Sequence, residues 1–146
     1  MSVFNLRTCA PAGALVLLMT FSHLSFGCEW SVKNGWIRFV SASNMGGAYA
    51  EFSNDGKSEV VIDTISSPMF AKIESHQTVL KDGLMKMVAY KLAMSPQSKT
   101  LFEPKGKHLM LFDPIKPLSV GDHVGFMFKD KMGCIVESSF EVKEII

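Results

Sequence analysis

Short segments of alternating apolar and polar residues run through most of the chain after residue 28. In the segment His123–Lys129, for example, apolar residues recur at every second position, which is the period of a half-buried β-strand. Glycine-containing turns such as Asp82-Gly83 separate the segments. No window of about a dozen residues keeps the period of a helix, since the best rival, Phe70–Leu80, is too polar and β-branched. The pattern predicts one all-β domain, folded as a Greek-key β-sandwich or barrel.

We predict nine strands in this domain: Val32–Val40, Ala48–Ser53, Val60–Ser66, Ala71–Thr78, Leu84–Leu92, Lys99–Phe102, His108–Phe112, His123–Lys129 and Cys134–Val142. The largest apolar residues of these strands form the expected core: Trp36, Ile37, Phe39, Tyr49, Phe52, Phe126, Phe128 and Phe140. Aromatic residues at alternate strand positions are typical of a sandwich core, so we assign them to packing and not to ligand binding.

Residues 1–27 differ from the rest of the chain. They contain one basic residue, Arg7, no acidic residue, an apolar run at 12–19 and small residues just before Cys28. This is the pattern of a secretory signal peptide, too short to span a membrane, and it leaves a mature domain of residues 28–146. A buried N-terminal helix is one alternative. Lipid anchoring at Cys28 is another, although the bulky phenylalanine two positions before it fits that cleavage motif poorly.

The charge of the mature chain is balanced. Removing Arg7 from the 15 basic residues leaves 14, which equal the 14 Asp and Glu residues. Nucleic acid and acidic membrane surfaces attract a basic protein, so both are unfavourable partners here. No second apolar run is long enough to span a bilayer.

Two cysteines, Cys28 and Cys134, remain after removal of the predicted signal peptide. In an oxidising compartment they can pair as a disulfide or remain as two free thiols. One of them serving as a metal thiolate is the third option, but neither has a nearby histidine or a second cysteine at metal-binding spacing.

A candidate for metal chemistry lies in the predicted strand that contains His108 and Met110. Side chains at positions i and i+2 of a strand project to the same side, so the imidazole and the thioether point to one region. A soft sulfur and a borderline nitrogen aimed at one point form half of a site for Cu(I). With ten methionines in 146 residues, the chain has further soft donors to offer.

A second His/Met pair follows from the turn at Asp82-Gly83. If these two residues form the loop of a hairpin, His76 faces Ala89 and lies diagonal to Met87. Diagonal neighbours are roughly 7–8 Å apart at the backbone, within reach of side chains of this length. The hairpin thus offers His76 with Met87, and the later strand offers His108 with Met110, which together could make a two-nitrogen, two-sulfur set of ligands. Met85 is an additional candidate, which replaces Met87 if the hairpin register differs.

The spacing of these residues resembles that of a known family. His76, ten residues, Met87, twenty residues and then His108-Leu109-Met110 is similar to the signature of the PCu(A)C-type periplasmic copper chaperones. The similarity extends from about Val32 to Val142. It includes the segments Gly35–Arg38, Gly47–Asn54, Ser66–Pro68, Lys81–Met87, Gly106–Leu111 and Pro117–Asp122.

The resemblance implies a cupredoxin-like β-sandwich that holds Cu(I) near its surface with His76, Met87, His108 and Met110. It also implies delivery of copper to the binuclear copper centre of cytochrome c oxidase, and hence an acceptor such as subunit II of that enzyme. We expect a periplasmic monomer. Two departures from the family are visible. Gln77 stands where the family usually has Glu. The sequence ends at Ile146 without the His/Met-rich tail of many members, so we do not expect a second role with Cu(II).

The ligand chemistry agrees with this role. Thioethers are neutral, bind without losing a proton and survive in a compartment where free thiolates are oxidised. Zinc prefers cysteine, histidine and carboxylate ligands, so a methionine-rich site favours Cu(I). Protonation of the imidazoles should weaken copper binding in mild acid.

Other functions are less favoured by the sequence. An electron-transfer cupredoxin needs a cysteine ligand, and no histidine follows Cys134. We expect no enzyme, because there is no nucleophile or acid–base motif; Asp113 is close to His108 but stands in a turn with Pro114. Periplasmic copper storage or resistance would use the same site, and a metal-free exported interaction module remains the plainest alternative.

Overall fold

A computed structural model describes residues 27–144. The predicted signal peptide, residues 1–27, lies outside this range except for its last residue. Within the range the chain forms one short 3₁₀ helix, Ser41–Ser43, and ten strands: β1 (Trp30–Val40), β2 (Met45–Asn54), β3 (Val60–Ser66), β4 (Phe70–Lys81), β5 (Leu84–Ala89), β6 (Ala93–Met94), β7 (Ser98–Leu101), β8 (Lys107–Pro114), β9 (His123–Asp130) and β10 (Ile135–Val142). The predicted all-β fold is confirmed.

The strands follow one another across a continuous hydrogen-bonded sheet in the order β5-β4-β8-β2-β1-β10-β9-β3-β6, and β7 pairs with β2. β1 and β10 run parallel, which joins the early and late parts of the chain. The sheet folds over itself. Two strands separate β2 from β9 in the sheet order, yet the ring centroids of Phe52 in β2 and Phe128 in β9 are only 5.4 Å apart. The result is the predicted sandwich with a single core.

That core is rich in aromatic rings, as the alternation predicted. Phe52, Phe126, Phe128, Phe140 and Ile37 are each at most 2% exposed. The prediction that Trp36 belongs to the core is wrong. Trp36 is half-buried on the opposite face of the sheet, and its ring centroid lies 4.5 Å from that of Tyr49. Neighbouring residues of a strand face opposite ways, so Trp36 cannot share the side that Ile37 buries.

Cys28 and Cys134 form a disulfide across a sequence separation of 106, with their Cα atoms 5.8 Å apart. Of the options that the sequence left open, the structure has the disulfide. Asp130 organises the same corner: its carboxylate accepts hydrogen bonds from the buried indole of Trp30 and from the backbone amide of Cys134, each at 2.9 Å. These contacts attach the start of the described chain to the last hairpin. Within residues 27–144, no helix is long and apolar enough to cross a membrane.

Candidate metal centre

The hairpin of β4 and β5 has the predicted turn and the predicted register. Asp82 and Gly83 have positive φ angles of 54° and 75°, as a two-residue loop between twisted strands requires. His76 is paired with Ala89, and Met87 is paired with Thr78, two residues along β4. His76 and Met87 are therefore diagonal neighbours on one face of the sheet.

β8 brings the second pair of predicted ligands to the same face. His108 lies directly opposite His76 across the β4–β8 ladder, and Met110 lies opposite Glu74. The centroids of the two imidazole rings are 6.0 Å apart, and the ring planes are nearly perpendicular at 88°. We call this side of β5, β4 and β8 the His/Met face; it carries all four predicted ligands.

A shallow cleft on the His/Met face, with a volume of about 270 Å³, is lined by Met87, His108 and Met110. His76 is not among its lining residues and lies beside His108. Met85 is paired with Leu80 and lies on the side of Met87 away from the histidines, and it does not line the cleft. The hairpin register therefore favours Met87 over Met85 as the thioether that reaches the site.

In each imidazole of the pair, one ring nitrogen has a hydrogen-bonding partner. The Nδ1 atom of His108 lies 3.1 Å from the carbonyl oxygen of Gly106, which accepts its proton and leaves Nε2 with a free lone pair. The Nε2 atom of His76 lies 3.1 Å from a carboxylate oxygen of Glu74. The Nδ1 atom of His76 is buried and has no hydrogen-bonding partner, as is also the case for the hydroxyls of Ser31 and Ser75, so it is the nitrogen of this ring that is left without a partner.

Glu74 is a site residue that the sequence reasoning missed. It stands two residues before His76, so strand alternation alone places both side chains on one face. A hydrogen bond from Lys72 holds the pKa of Glu74 below its ordinary value. The carboxylate can therefore accept the proton of His76 Nε2 and fix the orientation of that ring, which is the arrangement that commonly orients metal-bound histidines.

Gly47 and Tyr49 of β2 also line the cleft. A Cβ atom on Gly47 would lie only 2.7 Å from the hydroxyl oxygen of Tyr49, so glycine makes room for that ring. Burial raises the pKa of Tyr49, and nearby Arg38 acts in the opposite direction. Because the hydroxyl stays neutral, this part of the cleft carries no negative charge.

The available donors fit a soft ion. Within residues 27–144, no three His, Cys, Asp or Glu side chains are placed so that they could hold a metal ion together. The His/Met face offers imidazole nitrogens and thioether sulfurs. Cu(I) is the biological ion that favours such donors.

The model of a protein family described as "Putative lipoprotein LpqE-like" matches residues 30–142 of the chain. The chain belongs to the LpqE-like family. This match, together with the structural neighbours below, confirms the resemblance to the PCu(A)C family. The description of the LpqE-like family indicates export.

A lipid on Cys28 would need the sulfur atom that the disulfide occupies, so in this chain the two modifications exclude each other.

Solved structures of PCuAC domains share the fold of this LpqE-like chain. The copper-bound PCuAC domain from PmoF2 has a TM-score of 0.68 at 16% identity, covering 82% of this chain and 97% of that one. The apo PCuAC domain from PmoF1 has a TM-score of 0.67 at 18% identity, covering 82% and 98%. CuI-DR1885 from Deinococcus radiodurans has a TM-score of 0.62 at 20% identity, covering 82% and 80%. At these identities the likeness establishes the predicted cupredoxin-like fold.

A curated relative, "Uncharacterized protein RP573" of Rickettsia prowazekii (strain Madrid E), is 38% identical over 76 residues. The match covers 49% of the LpqE-like chain and 42% of the relative, so less than half of that protein is represented.

Proposed function

We propose that this protein is a copper chaperone that binds one Cu(I) ion through His76, Met87, His108 and Met110. The observation that carries the proposal is the cross-strand pair His76–His108, which has Met87 and Met110 beside it on the same face of the sheet. The buried, unpartnered Nδ1 atom of His76 supports it, because a metal ion would satisfy that atom. The copper-bound state of a domain with the same fold gives independent support.

In the proposed site, the hydrogen bonds of the two histidines select the nitrogen that binds copper. His108 would use Nε2, since its Nδ1 donates to Gly106, and His76 would use Nδ1, since its Nε2 is held by Glu74. All four ligands are neutral, so none of them compensates the charge of a Cu(I) ion. A thiolate of an acceptor protein is a stronger donor for this ion and can displace the thioethers one at a time.

The exposure of the ligands sets the expected order of release. Met87 is 62% exposed, whereas His108 is only 6% exposed. An acceptor therefore reaches Met87 first, and the imidazole of His108 is expected to leave the ion last. We propose that the acceptor is the binuclear copper centre in subunit II of cytochrome c oxidase, and that transfer takes place in the periplasm.

Anaerobic titration of residues 28–146 with Cu(I), against a chromophoric competitor, tests the binding step. We expect one tightly bound equivalent in the wild-type protein and none in the His108→Ala/Met110→Ala variant. A matched control is His123→Ala/Met132→Ala, which removes an exposed histidine and a 92% exposed methionine outside the cleft and should bind as the wild type does. Equal binding by the two double variants would contradict the proposed site.

Copper storage is the second candidate function, because it would use the same ligands. Mixing the Cu(I)-loaded protein with a reduced, copper-free subunit II domain distinguishes the two. Delivery predicts that copper moves to the acceptor after the proteins are separated. Retention of copper by the loaded protein would favour storage or resistance, and failure to bind Cu(I) at all would leave a metal-free exported interaction module.

A further inference from the structure

Met45 is a third thioether in the cleft, and no part of the sequence signature assigns it a role. It lines the same cavity as Met87, His108 and Met110. We propose that Met45 is a further copper ligand, which contacts the ion from the side of Met110 opposite to Met87. This inference rests on the proposed function, since it concerns the same ion.

The strand register brings Met45 close to Met110. In the β2–β8 ladder Met45 is paired with Phe112 and Gly47 is paired with Met110, so Met45 and Met110 are diagonal neighbours on one face. Such neighbours have backbones roughly 7–8 Å apart, a gap that two methionine side chains can bridge. Gly47 lies directly opposite Met110 and two residues along β2 from Met45, and it has no side chain to keep the two sulfur atoms apart.

Packing does not account for Met45. Met94 fills the core and is fully buried, whereas Met45 is 39% exposed and is not part of the core cluster. Its backbone is nevertheless well held. Asn44, just before it, has a left-handed φ of 50° and accepts a hydrogen bond from the amide of Asp113 at 3.0 Å. The attachment point of this partly exposed side chain is therefore fixed beside the cleft.

The arrangement gives a Cu(I) ion thioethers on two sides of Met110. Cu(I) accepts a small and variable number of soft ligands, and one neutral thioether can replace another without any change in charge. When an acceptor displaces Met87, Met45 can keep the ion attached to His108 and Met110. The third thioether would thus hold copper in the cleft during transfer.

The test uses residues 28–146 labelled with ¹³C at the methionine methyl groups, with Cu(I) added anaerobically to one equivalent. The methyl signals of Met45, Met87 and Met110 should shift, and those of the buried Met94 and of Met127 should stay in place. Met127 is a matched control, because it is also 39% exposed but lies on β9, outside the cleft. Removal of an outer-shell partner of a metal ligand already costs about 10- to 100-fold in affinity, so we expect Met45→Leu to lower the affinity for Cu(I) at least about tenfold and Met127→Leu to leave it unchanged.

The outcomes separate this inference from the proposed function. If the signals of Met87 and Met110 shift while that of Met45 does not, and Met45→Leu binds like Met127→Leu, the inference is overturned and the four-ligand site stands. If no methyl signal shifts and no copper binds, the proposed function itself fails. The spectrum of the wild-type protein decides between these outcomes even if Met45→Leu does not fold.

Discussion

Replacing Gly83 by alanine tests whether the β4–β5 hairpin positions Met87. Gly83 has a φ of 75°, and an L-residue in this left-handed region costs about 1–2 kcal/mol. All six residues of β5 are exposed, so side-chain burial contributes little to holding this edge strand in place. The turn and the ladder to β4 therefore carry most of its local stability, and Gly83→Ala should favour opening of the hairpin.

Opening of β5 would remove Met87 from the proposed site. A protein whose binding-competent state is only partly populated binds with a proportionally weaker apparent affinity, so a penalty of about 1–2 kcal/mol raises the apparent Kd by at most about 5- to 30-fold. Cu(I) titration measures this change, and amide hydrogen exchange in β5 reports the opening directly. Overall stability against urea should change little, because β5 contributes no residue to the core.

Gly121→Ala provides the matched control. Gly121 has a φ of 90° and, like Gly83, has open space where a Cβ atom would stand, but it lies in the loop before β9. It should show similar backbone strain with unchanged copper binding. Faster exchange in β5 of Gly83→Ala, with copper affinity equal to that of Gly121→Ala, would refute the placement of Met87 in the site.

Three further predictions concern stability and pH. Glu74→Gln should lower the stability of the apo protein at neutral pH, as measured by urea unfolding, and this difference should disappear at low pH. The reason is that Lys72 lowers the pKa of Glu74 in the folded state. The stabilisation by the charged carboxylate is therefore present above the ordinary pKa of 4.5 and is lost as the pH falls through the folded-state pKa. A difference that persists in acid would contradict this. Asn54→Ala should lower the free energy of unfolding by roughly 2–4 kcal/mol, because this fully buried side chain forms hydrogen bonds with four backbone groups; a loss well below 1 kcal/mol in urea unfolding would show that water replaces them. Cys28→Ser/Cys134→Ser should lower the free energy of unfolding by about 2–5 kcal/mol and leave the copper stoichiometry unchanged. Loss of copper binding in this variant would mean that a cysteine sulfur contacts the ion.

Local signals were sufficient for the β4–β5 hairpin but not for the pairing of β4 with β8. The Asp82-Gly83 turn determines its own register because the paired residues are close in sequence. His76 and His108 are separated by a long stretch that includes three other strands, and no local pattern indicates that their strands are neighbours. Only the spacing shared with a known family connected them. The two-residue strand Ala93–Met94 was missed because it is too short to show any period.

Glu74, the carboxylate beside His76, could not be recognised from the sequence alone. The PCu(A)C family usually has Glu immediately after its first histidine, and in this chain that position is occupied by Gln77. Gln77 belongs to the opposite face of the strand, paired with Val88 and Lys107, so it cannot share the side on which His76 projects. Glu74 satisfies the alternation rule, but acidic residues are so common on exposed strands that the rule alone did not distinguish it.

The two-residue turn also restricts how the length of this chain can vary during evolution. While the turn is kept, inserting one residue in either arm between His76 and Met87 would rotate the methionine to the face that now carries Lys86 and Val88. Inserting two would restore the face but move the sulfur about 7 Å along the strand. The ten-residue spacing between His76 and Met87 is thus a property of the hairpin. Homologues that retain this pair are expected to gain or lose residues in other loops. Alternatively, they can enlarge the turn itself, provided that the β4–β5 ladder stays in register.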